Sequence, residues 1–245
     1  MKVAIVTGGS RGLGAGIASA LAADGYATAV TYSRDQRGAQ KVVESIISKG
    51  GIAKEFCFDV RDASAVQENI NLISETLGDI EVIVSNAVGT HSSHSIENQN
   101  WDHYQNLMDY CVKAPLFLLK AIVRDWKVRR SGCFINIGSE SVDLAKAESA
   151  PYLAAKAAMV GTTRSWAQEL GPFNIRVNLV CPGFIPVERH SDLSQEVFDD
   201  YSRQVPLRRL GLPSDVGNMI SFLASTRGAF ITGQTLHVNG GRTMT

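Results

Sequence analysis

The sequence predicts an α/β fold built from repeated strand–helix units. Short apolar runs alternate with amphipathic stretches along all 245 residues, which is the pattern of β-α units. The first apolar run, Val3–Val6, leads through a glycine-rich turn into a helix. We find no linker, internal repeat or low-complexity tract, and the length suits one α/β domain. We therefore expect a single domain over residues 1–245.

The predicted elements follow one another in regular order. We predict strands at Val3–Val6, Tyr26–Tyr32, Ile52–Phe58, Ile80–Val84, Cys133–Ile137, Ile175–Val180 and Gln234–Val238. We predict helices at Gly12–Asp24, Gln36–Lys49, Asp62–Leu77, Trp101–Arg130, Tyr152 to about Leu170, and Pro213–Ala224. Pro115 lies inside the fourth helix and should kink it. Residues 184–206 are polar and irregular, and we expect them to form a substrate loop with the character of a lid.

Charge and composition exclude several kinds of partner. Lys and Arg total 24, as do Asp and Glu, and no dense basic block occurs, which argues against a nucleic-acid or membrane-surface partner. The sequence shows no leader and no apolar run long enough to cross a bilayer. The four cysteines are Cys57, Cys111, Cys133 and Cys181. They lie mostly in apolar segments without metal-ligand spacing, which predicts reduced thiols in a cytoplasmic protein and no metal site.

The stretch from Ser139 to Lys156 carries the chemistry on which the functional prediction is based. Ser139 follows the apolar run Cys133–Ile137, at the point where a buried strand gives way to a loop. Tyr152 and Lys156 are four residues apart, so on a helix they share one face. A hydroxyl, a phenol and an ammonium could therefore meet around a single oxygen atom.

These three groups suit proton transfer to a carbonyl oxygen. A phenol alone is a poor acid–base group at neutral pH, but an ammonium beside it favours the phenolate and eases exchange of the proton. Ser139 could hold the substrate oxygen by a hydrogen bond while Tyr152 delivers or removes the proton. The alternative is an ordinary helix with one buried aromatic ring and a lysine that extends to solvent. The spacing alone does not decide between the two.

The turn after the first strand reads Thr7-Gly8-Gly9-Ser10-Arg11-Gly12-Leu13-Gly14. Glycines permit a tight turn and let the backbone approach a phosphate, and the following helix presents free N–H groups to it. The spacing is T-G-x-x-x-G-x-G rather than G-x-G-x-x-G. Its place between an N-terminal strand and a helix nevertheless indicates a dinucleotide site.

Together these motifs resemble those of the classical short-chain dehydrogenase/reductases, and within that family the 3-oxoacyl-(acyl-carrier-protein) reductase-like members. The resemblance covers essentially the whole chain, with further matches at Asp59-Val60, Asn86-Ala87, Pro182-Gly183 and Val238-Asn239-Gly240-Gly241. With the β-α alternation, it implies a Rossmann-like, doubly wound sheet of seven parallel strands with helices on both faces. The cofactor would cross the carboxyl ends of the strands. Relatives are commonly tetramers, so we expect a homo-oligomer, either a tetramer or a dimer.

The resemblance also implies roles for individual residues. Tyr152 would be the proton donor in reduction, Ser139 the ligand of the carbonyl oxygen, and Lys156 a partner of both Tyr152 and the nicotinamide ribose. The residues expected to contact the cofactor are Gly8, Ser10, Arg11, Gly12, Leu13, Gly14, Tyr32, Ser33, Arg34, Asp59, Val60, Asn86, Ala87, Tyr152, Lys156, Pro182, Gly183 and Ile185. For Asp59 the alternative is a carboxylate that caps the next helix.

Charge at the end of the second strand bears on the choice of cofactor. NAD-preferring members usually place an acid there to bind the ribose hydroxyls. Here Tyr32-Ser33-Arg34 occupies that position, and Arg11 could approach from the glycine turn. Two guanidiniums and no carboxylate favour a 2′-phosphate, so we predict that NADP(H) is preferred over NAD(H). Alternatively, Arg34 is only solvated and Arg11 points elsewhere.

Three positions depart from the family pattern. Cys111 stands where the family has an Asn that supports a water chain to the lysine, and a thiol is a weak donor and a poor acceptor. Asn106, more than a helical turn away, is a poor substitute. Val88 replaces a glycine, with Gly89 one residue later, and Val187 replaces a Thr that commonly meets the carboxamide. We interpret Cys111 as a buried helical cysteine rather than a nucleophile.

The substrate is the least determined part of the prediction. Its pocket would be framed by residues 91–95, 140–149 and 184–202. Their polar side chains suit a hydroxylated or amino-bearing substrate better than a long alkyl chain, although each could be an ordinary solvated loop residue. They are His91, His94, Glu140, Asp143, Glu148, Glu188, Arg189 and His190. Arg129-Arg130 match the basic residues of carrier-protein reductases but Phe173 does not, so a carrier-protein partner is not supported.

Two functions remain open. The first, which we favour, is an NADPH-dependent oxidoreductase that transfers a hydride between nicotinamide and a carbonyl or secondary alcohol. Its small-molecule substrate would belong to specialised biosynthesis or be a 3-oxoacyl thioester. The second is a non-catalytic protein that binds NADP on the same scaffold. The intact set of Ser139, Tyr152 and Lys156 favours the first function, and Cys111 keeps the second open.

Overall fold

Seven parallel strands form one sheet in the order β3-β2-β1-β4-β5-β6-β7. The structure is a computed structural model that describes residues 1–90 and 92–244, and for Arg189 it describes the backbone alone. The strands are β1 (Lys2–Val6), β2 (Ala27–Tyr32), β3 (Ala53–Cys57), β4 (Asp79–Ser85), β5 (Gly132–Ile137), β6 (Ile175–Pro182) and β7 (Thr235–Val238). This confirms the predicted seven-stranded parallel sheet, with each strand boundary within two residues of its expected place.

Helices connect the strands and cover both faces of the sheet. They are α1 (Gly12–Ala23), α2 (Gln36–Ser48), α3 (Ala63–Leu77), α4 (Trp101–Met108), α5 (Ala114–Arg129), α6 (Ser141–Leu144), α7 (Ala150–Leu170), α8 (Gln195–Gln204) and α9 (Pro213–Ala224). The prediction that residues 184–206 are irregular is wrong for α8, which lies inside that segment. Within the described residues, no helix is long and apolar enough to cross a membrane.

Alternation along the strands explains why both faces are covered. In β1, Val3 and Ile5 belong to the core under α3 and α5, whereas Ala4 and Val6 belong to the core under α1, α2 and α9. Successive side chains of a strand point to opposite faces, so a strand that is apolar at every position needs cover on both sides. All the strands are parallel, so their carboxyl ends lie at one edge of the sheet. At that edge the strand order reverses between β1 and β4, which leaves a crevice.

The helical region before β5 is interrupted by one wider turn rather than by a simple kink. Residues Asp109–Lys113 form a π-helix between α4 and α5, and Pro115 follows as the second residue of α5. A proline lacks an N–H, and its ring collides with the carbonyl four residues earlier, here that of Cys111. The π turn relieves this conflict, because its hydrogen bonds reach one residue further. The helix therefore continues through Pro115, and Cys111 lies at the centre of the widened turn.

Trp126 fixes the start of β5. Its indole is fully buried, and Nε1–H donates to the carbonyl of Ile80 at 2.7 Å, which ties α5 to β4. A Cβ atom added at Gly132 would lie 2.3 Å from indole atom Cδ2. The strand can therefore begin beside the indole only because position 132 carries no side chain.

We predict opposite effects for two glycine-to-alanine substitutions. Gly132→Ala should lower the free energy of unfolding by about 1–3 kcal/mol, because the new methyl group forces Trp126 to move. Gly161→Ala, the matched control in α7, should raise it by about 0.5–1 kcal/mol, since alanine is the better helix former. A Cβ at position 161 meets no described atom outside its own helix within 4 Å. Urea unfolding measures both values, and equal effects would contradict the role given to Trp126.

Candidate active site

The glycine turn after β1 is held in place by the residue that follows β4. Asn86 Nδ2 donates to the carbonyls of Thr7 at 2.8 Å and Gly8 at 3.2 Å. The Thr7 hydroxyl accepts from the backbone N–H groups of Asn86 at 2.9 Å and Ala87 at 3.0 Å. Two neighbouring strand ends are thereby joined into one rigid rim. The predicted residue Asn86 thus also positions the turn itself.

The turn has the shape that a pyrophosphate requires. Gly8 and Gly12 have φ values of +62° and +56°, which side-chain-bearing residues rarely adopt. At Gly14 an added Cβ would lie 2.2 Å from the Gly8 carbonyl oxygen, so helix α1 packs against the turn without any side chain between them. Ser10 and Leu13 are largely covered, whereas Arg11 is exposed. The bare backbone before α1 leaves the helix N–H groups accessible to an anion.

A small pocket of about 40 Å³ lies between the ends of β1, β2, β3 and β4. Six of the predicted cofactor residues line it, namely Gly8, Tyr32, Ser33, Asp59, Val60 and Ala87. Thr31, Phe58 and Tyr110 complete the lining and were not predicted.

Asp59 is paired with an arginine that the sequence reasoning missed. Arg61 donates from Nε to Oδ1 at 3.0 Å and from Nη2 to Oδ2 at 2.6 Å, and its guanidinium lies 4.8 Å from the centroid of the Tyr110 ring. This hydrogen bonding holds the pKa of Asp59 below its ordinary value, against the opposing effect of burial. Asp59 does not cap α3; Asp62 accepts from the N–H groups of Ser64 and Ala65 instead. The alternative interpretation of Asp59 as a helix cap is therefore wrong.

The two arginines expected near a 2′-phosphate are both exposed. Arg34 follows β2 next to Ser33, and its charge contributes to lowering the pKa of Asp59. Within residues 1–90 and 92–244, neither Arg11 nor Arg34 has a carboxylate within ion-pair distance. Arg34 follows Ser33, which lines the small pocket, so its charge lies next to the pocket, whereas Arg11 is not part of the lining.

Lys156 connects the predicted catalytic residues. Its side chain is 5% exposed, and Nζ donates to the carbonyl of Ile137, two residues before Ser139, at 2.7 Å. Nζ also lies 5.8 Å from the centroid of the Tyr152 ring, one helical turn earlier on α7. Ser139 is buried, and its hydroxyl accepts from the Ser141 N–H at 3.1 Å. The structure thus brings the end of β5 and the start of α7 together around one buried ammonium.

Two buried thiols flank this ammonium. Burial raises the pKa of Cys111, and the positive charge of Lys156, together with a hydrogen bond to it, partly offsets that effect. Burial likewise raises the pKa of Cys181 to about 11, although the Ser139 backbone N–H donates to its sulfur. Both cysteines are therefore protonated at neutral pH and act as small apolar groups. Asn106 bonds to the Thr90 carbonyl, so it does not replace the family's Asn.

The other two departures from the family pattern have local explanations. A Cβ added at Gly89 would lie 2.8 Å from Cε2 of Tyr110, so this glycine is needed under the ring. Val88 packs against the apolar group around Cys111. Val187 lies beside the glycine turn, 3.1 Å from a Cβ built at Gly12.

The expected substrate side is more aromatic than its sequence suggests. The Phe184 ring lies 4.8 Å from His190, 5.8 Å from Phe198 and 5.3 Å from Tyr201, measured between centroids. A cavity of about 430 Å³ opens beside this aromatic group, between Gly183 and His237. Pro182 ends β6 at its edge, and Ile185 also lines it.

Several predicted polar pocket residues have partners within the protein. Glu140 is bonded to Tyr201 and Arg242, and Asp143 to His237 at 2.7 Å. The backbone of His94 donates to Glu148, which joins two of the expected framing segments. His91 and the side chain of Arg189 lie outside the described residues. In the described parts of the chain, no group of three His, Cys, Asp or Glu side chains could hold a metal ion.

Comparison with known proteins agrees with this geometry. A family model described as enoyl-(acyl carrier protein) reductase matches residues 8–243. The chain is 37% identical to 3-oxoacyl-[acyl-carrier-protein] reductase FabG of Staphylococcus aureus, covering 99% of this chain and 98% of that protein. It is similar in structure to a blue fluorescent protein from a metagenomic library in complex with NADPH, with a TM-score of 0.88, 33% identity, and coverage of 99% and 98%.

A further solved structure, a short-chain dehydrogenase/reductase mutant from Serratia marcescens, has a TM-score of 0.89 and 29% identity. It covers 99% of this chain and 98% of its own. The chain belongs to the short-chain dehydrogenase/reductase family, and it is an oxidoreductase acting on CH–OH and C=O groups. The predicted family is thereby confirmed.

The lowered pKa of Asp59 predicts a pH-dependent contribution to stability. The stabilising effect of the Arg61 pair is present above the ordinary carboxyl pKa of 3.8 and is lost as the pH falls through the lower folded value. Asp59→Asn should therefore cost up to about 1 kcal/mol at neutral pH, a partly exposed pair being screened by solvent. The cost should shrink below about pH 4.

Urea unfolding across the pH range measures this difference. In an Arg61→Met background, Asp59→Asn should lose its pH-dependent cost, because the hydrogen bonds that lower the pKa are gone. A cost that is the same at low and at neutral pH would contradict the assignment.

Proposed function

We propose that the protein is an NADPH-dependent ketoreductase that interconverts a carbonyl and a secondary alcohol. The observation that carries this proposal is the buried ammonium of Lys156, which lies between the strand that leads to Ser139 and the ring of Tyr152. A buried charge needs partners. Here the acceptor is the Ile137 carbonyl, two residues before Ser139, so the charge is held near the groups that would handle a carbonyl oxygen, at the sheet edge where α/β proteins bind ligands.

The cofactor would lie along the carboxyl edge of the sheet. Gly8, Gly12 and Gly14 would hold the pyrophosphate, because a Cβ at position 14 would close the cradle that the turn forms. Asp59 with Arg61 would border the adenine, and Arg11 with Arg34 would bind the 2′-phosphate. NADPH, when bound, would supply the hydride. The NADPH complex of a structurally similar protein supports this assignment.

Each catalytic side chain would act on the carbonyl oxygen. Ser139 would hold it by a hydrogen bond, and Tyr152 would donate the proton as the oxygen gains charge. Lys156 is fixed by the Ile137 carbonyl, so its charge stays beside Tyr152 and stabilises the phenolate that remains. The Cys111 thiol takes the place of an amide beside this lysine and cannot relay a proton as an amide-bound water does.

The substrate would be a ketone of specialised biosynthesis or a 3-oxoacyl thioester. The similarity to 3-oxoacyl-[acyl-carrier-protein] reductase FabG supports the thioester. The Arg129 guanidinium is a candidate contact for a carrier protein. It lies 3.8 Å from the carboxylates of Asp79 and Glu81 and donates to the Ile80 carbonyl. Binding of a carrier protein therefore has less support than reduction of the thioester itself.

The second candidate function is NADP binding without turnover, and the Cys111 substitution is the observation in its favour. As to setting, we propose a cytoplasmic homo-oligomer. All four cysteines are free thiols and three of them are buried, which suits a reducing compartment.

Tyr152→Phe tests catalysis against mere binding. The substitution removes only the phenolic hydroxyl, so reduction should fall by about 10²–10⁴-fold while NADPH still binds. Consumption of NADPH would be followed with a 3-oxoacyl thioester, a simple β-keto ester, a polyhydroxylated ketone and an amino ketone. Full activity in the variant would contradict the role of Tyr152, and a wild-type protein that binds NADPH but reduces none of the four would favour the binding protein.

Arg34→Gln tests the cofactor preference. Loss of one charged hydrogen bond to phosphate should weaken NADPH binding by about 10- to 100-fold, whereas NADH binding should change little. The control is Lys120→Gln, an exposed charge on α5. Titration of cofactor fluorescence gives both dissociation constants. The preference is wrong if the wild type binds NADH as tightly as NADPH.

A further inference from the structure

A buried carboxylate follows the predicted catalytic serine directly. Glu140 is 3% exposed, and its Oε1 accepts from the Tyr201 hydroxyl at 2.6 Å and from Arg242 Nη1 at 3.1 Å. Burying a charge is costly unless it is paired and hydrogen-bonded. Because burying this carboxylate costs free energy, we looked for a function that it serves.

Tyr201 extends this contact to the segment after β6. Its hydroxyl oxygen accepts from the Phe184 N–H at 2.7 Å while its proton is donated to Glu140. Burial and the neighbouring carboxylate raise the pKa of Tyr201 to about 12, so it remains a donor throughout the physiological range. The Arg242 guanidinium lies 4.2 Å from the centroid of the same ring and also donates to Gln204.

Four separate segments therefore meet around one carboxylate, the Phe184 segment through the Tyr201 hydroxyl. They are the loop that carries Ser139, the segment at Phe184, helix α8 and the C-terminal residues around Arg242. The Glu140 N–H adds a fifth hydrogen bond, to the Pro182 carbonyl at 3.1 Å. Glu140 is 61 residues from Tyr201 and 102 residues from Arg242 in sequence. The contacts thus join α8 and the chain's end to the loop of Ser139.

The charge balance of this cluster depends on Arg242. The second carboxylate oxygen, Oε2, is buried without a hydrogen-bond partner among the residues that the structure describes. Arg242 is likewise the one cation found within ion-pair distance of Glu140 in those residues. Removing Arg242 would leave a buried charge without compensation, which is far more destabilising than removing both charges together.

We propose that Glu140 is a positioning residue for carbonyl reduction. Through Tyr201 and Arg242 it holds α8, the Phe184 segment and the C-terminal residues against the loop of Ser139, and so fixes where that hydroxyl meets the carbonyl. The inference rests on the proposed ketoreductase function. The glycine turn lies outside this cluster, and the Glu140–Pro182 contact is a main-chain hydrogen bond that a side-chain substitution leaves in place, so Glu140 affects the carbonyl substrate far more than NADPH.

The test compares Arg242→Met with the double variant Glu140→Gln/Arg242→Met. The single variant should lose both thermal stability and activity. The double variant should recover stability, since no buried charge is left unpaired, but its kcat/KM should stay at least about tenfold below wild type, mainly through KM for the carbonyl. NADPH binding should be retained. A matched double variant at a remote ion pair, Asp24→Asn/Arg227→Met, should keep wild-type kcat/KM.

Hydrogen exchange gives a readout that does not depend on turnover. In the stable double variant, peptides covering 139–145 and 183–186 should exchange faster than in the wild type, and the turn at 7–14 should not. Recovery of kcat/KM together with stability, or unchanged exchange at 139–145, would overturn the positioning role. A wild-type protein without carbonyl turnover would instead refute the proposed function, and the exchange experiment would still decide whether Glu140 orders the loop.

Discussion

The buried ammonium of Lys156 is the interaction on which the arrangement of the site depends. A charge with 5% exposure must be hydrogen-bonded, and the Ile137 carbonyl at the end of β5 meets that need. Helix α7 must therefore dock with Lys156 over this strand end. Because Tyr152 precedes Lys156 by one helical turn, and Ser139 follows Ile137 by two residues, the same contact brings together the two segments that carry the three predicted catalytic residues.

The sequence predicted the sheet well because its signals are local. Apolar runs mark the strands, and the residues that follow them must reach the carboxyl edge of a parallel sheet, which explains why the predicted cofactor residues meet there. Helix α8 was missed because its few apolar residues, Val197, Phe198 and Tyr201, stand among polar ones, and Phe198 and Tyr201 find packing partners only when the folded chain brings them to Phe184. The π turn before Pro115 was also missed, because amino-acid composition does not indicate how the backbone accommodates the proline.

Side-chain pairs distant in sequence were beyond prediction for a different reason. Nothing near Glu140 indicates that Tyr201 and Arg242 will reach it, since only the folded chain brings them together. Arg61 shows that prediction was limited even for a pair close in sequence. Arg61 stands two residues from Asp59, so their ion pair could have been predicted from the sequence. Its position over the Tyr110 ring could not, because that depends on the docking of α5 and the preceding π turn.

Two of the three departures from the family pattern, Val88 and Cys111, pack in one apolar group, and Tyr110 next to Cys111 extends it toward Arg61. Tyr110 covers Gly89 and stacks under Arg61, while the adjacent Cys111 faces Lys156 from the same π turn. One altered segment thus contacts both Arg61, where we propose that adenine binds, and Lys156, the proposed catalytic lysine. A substitution at Tyr110 would therefore affect Arg61 through side-chain packing and Lys156 through the π turn.

The two ends of the site use the same kind of ion pair in different surroundings, and the difference matters mechanistically. Asp59 and Arg61 are partly exposed, so their attraction is screened and their geometry adapts at little cost. Glu140 and Arg242 are mostly buried, and Glu140 has an unpaired oxygen, so any displacement leaves charge without compensation. At the Asp59–Arg61 pair, where we propose that adenine binds, such adjustment costs little. Proton transfer to a carbonyl does not tolerate it, because a small misplacement of the donor costs orders of magnitude in rate. The rigid pair accordingly lies beside Ser139, where geometry decides the chemistry.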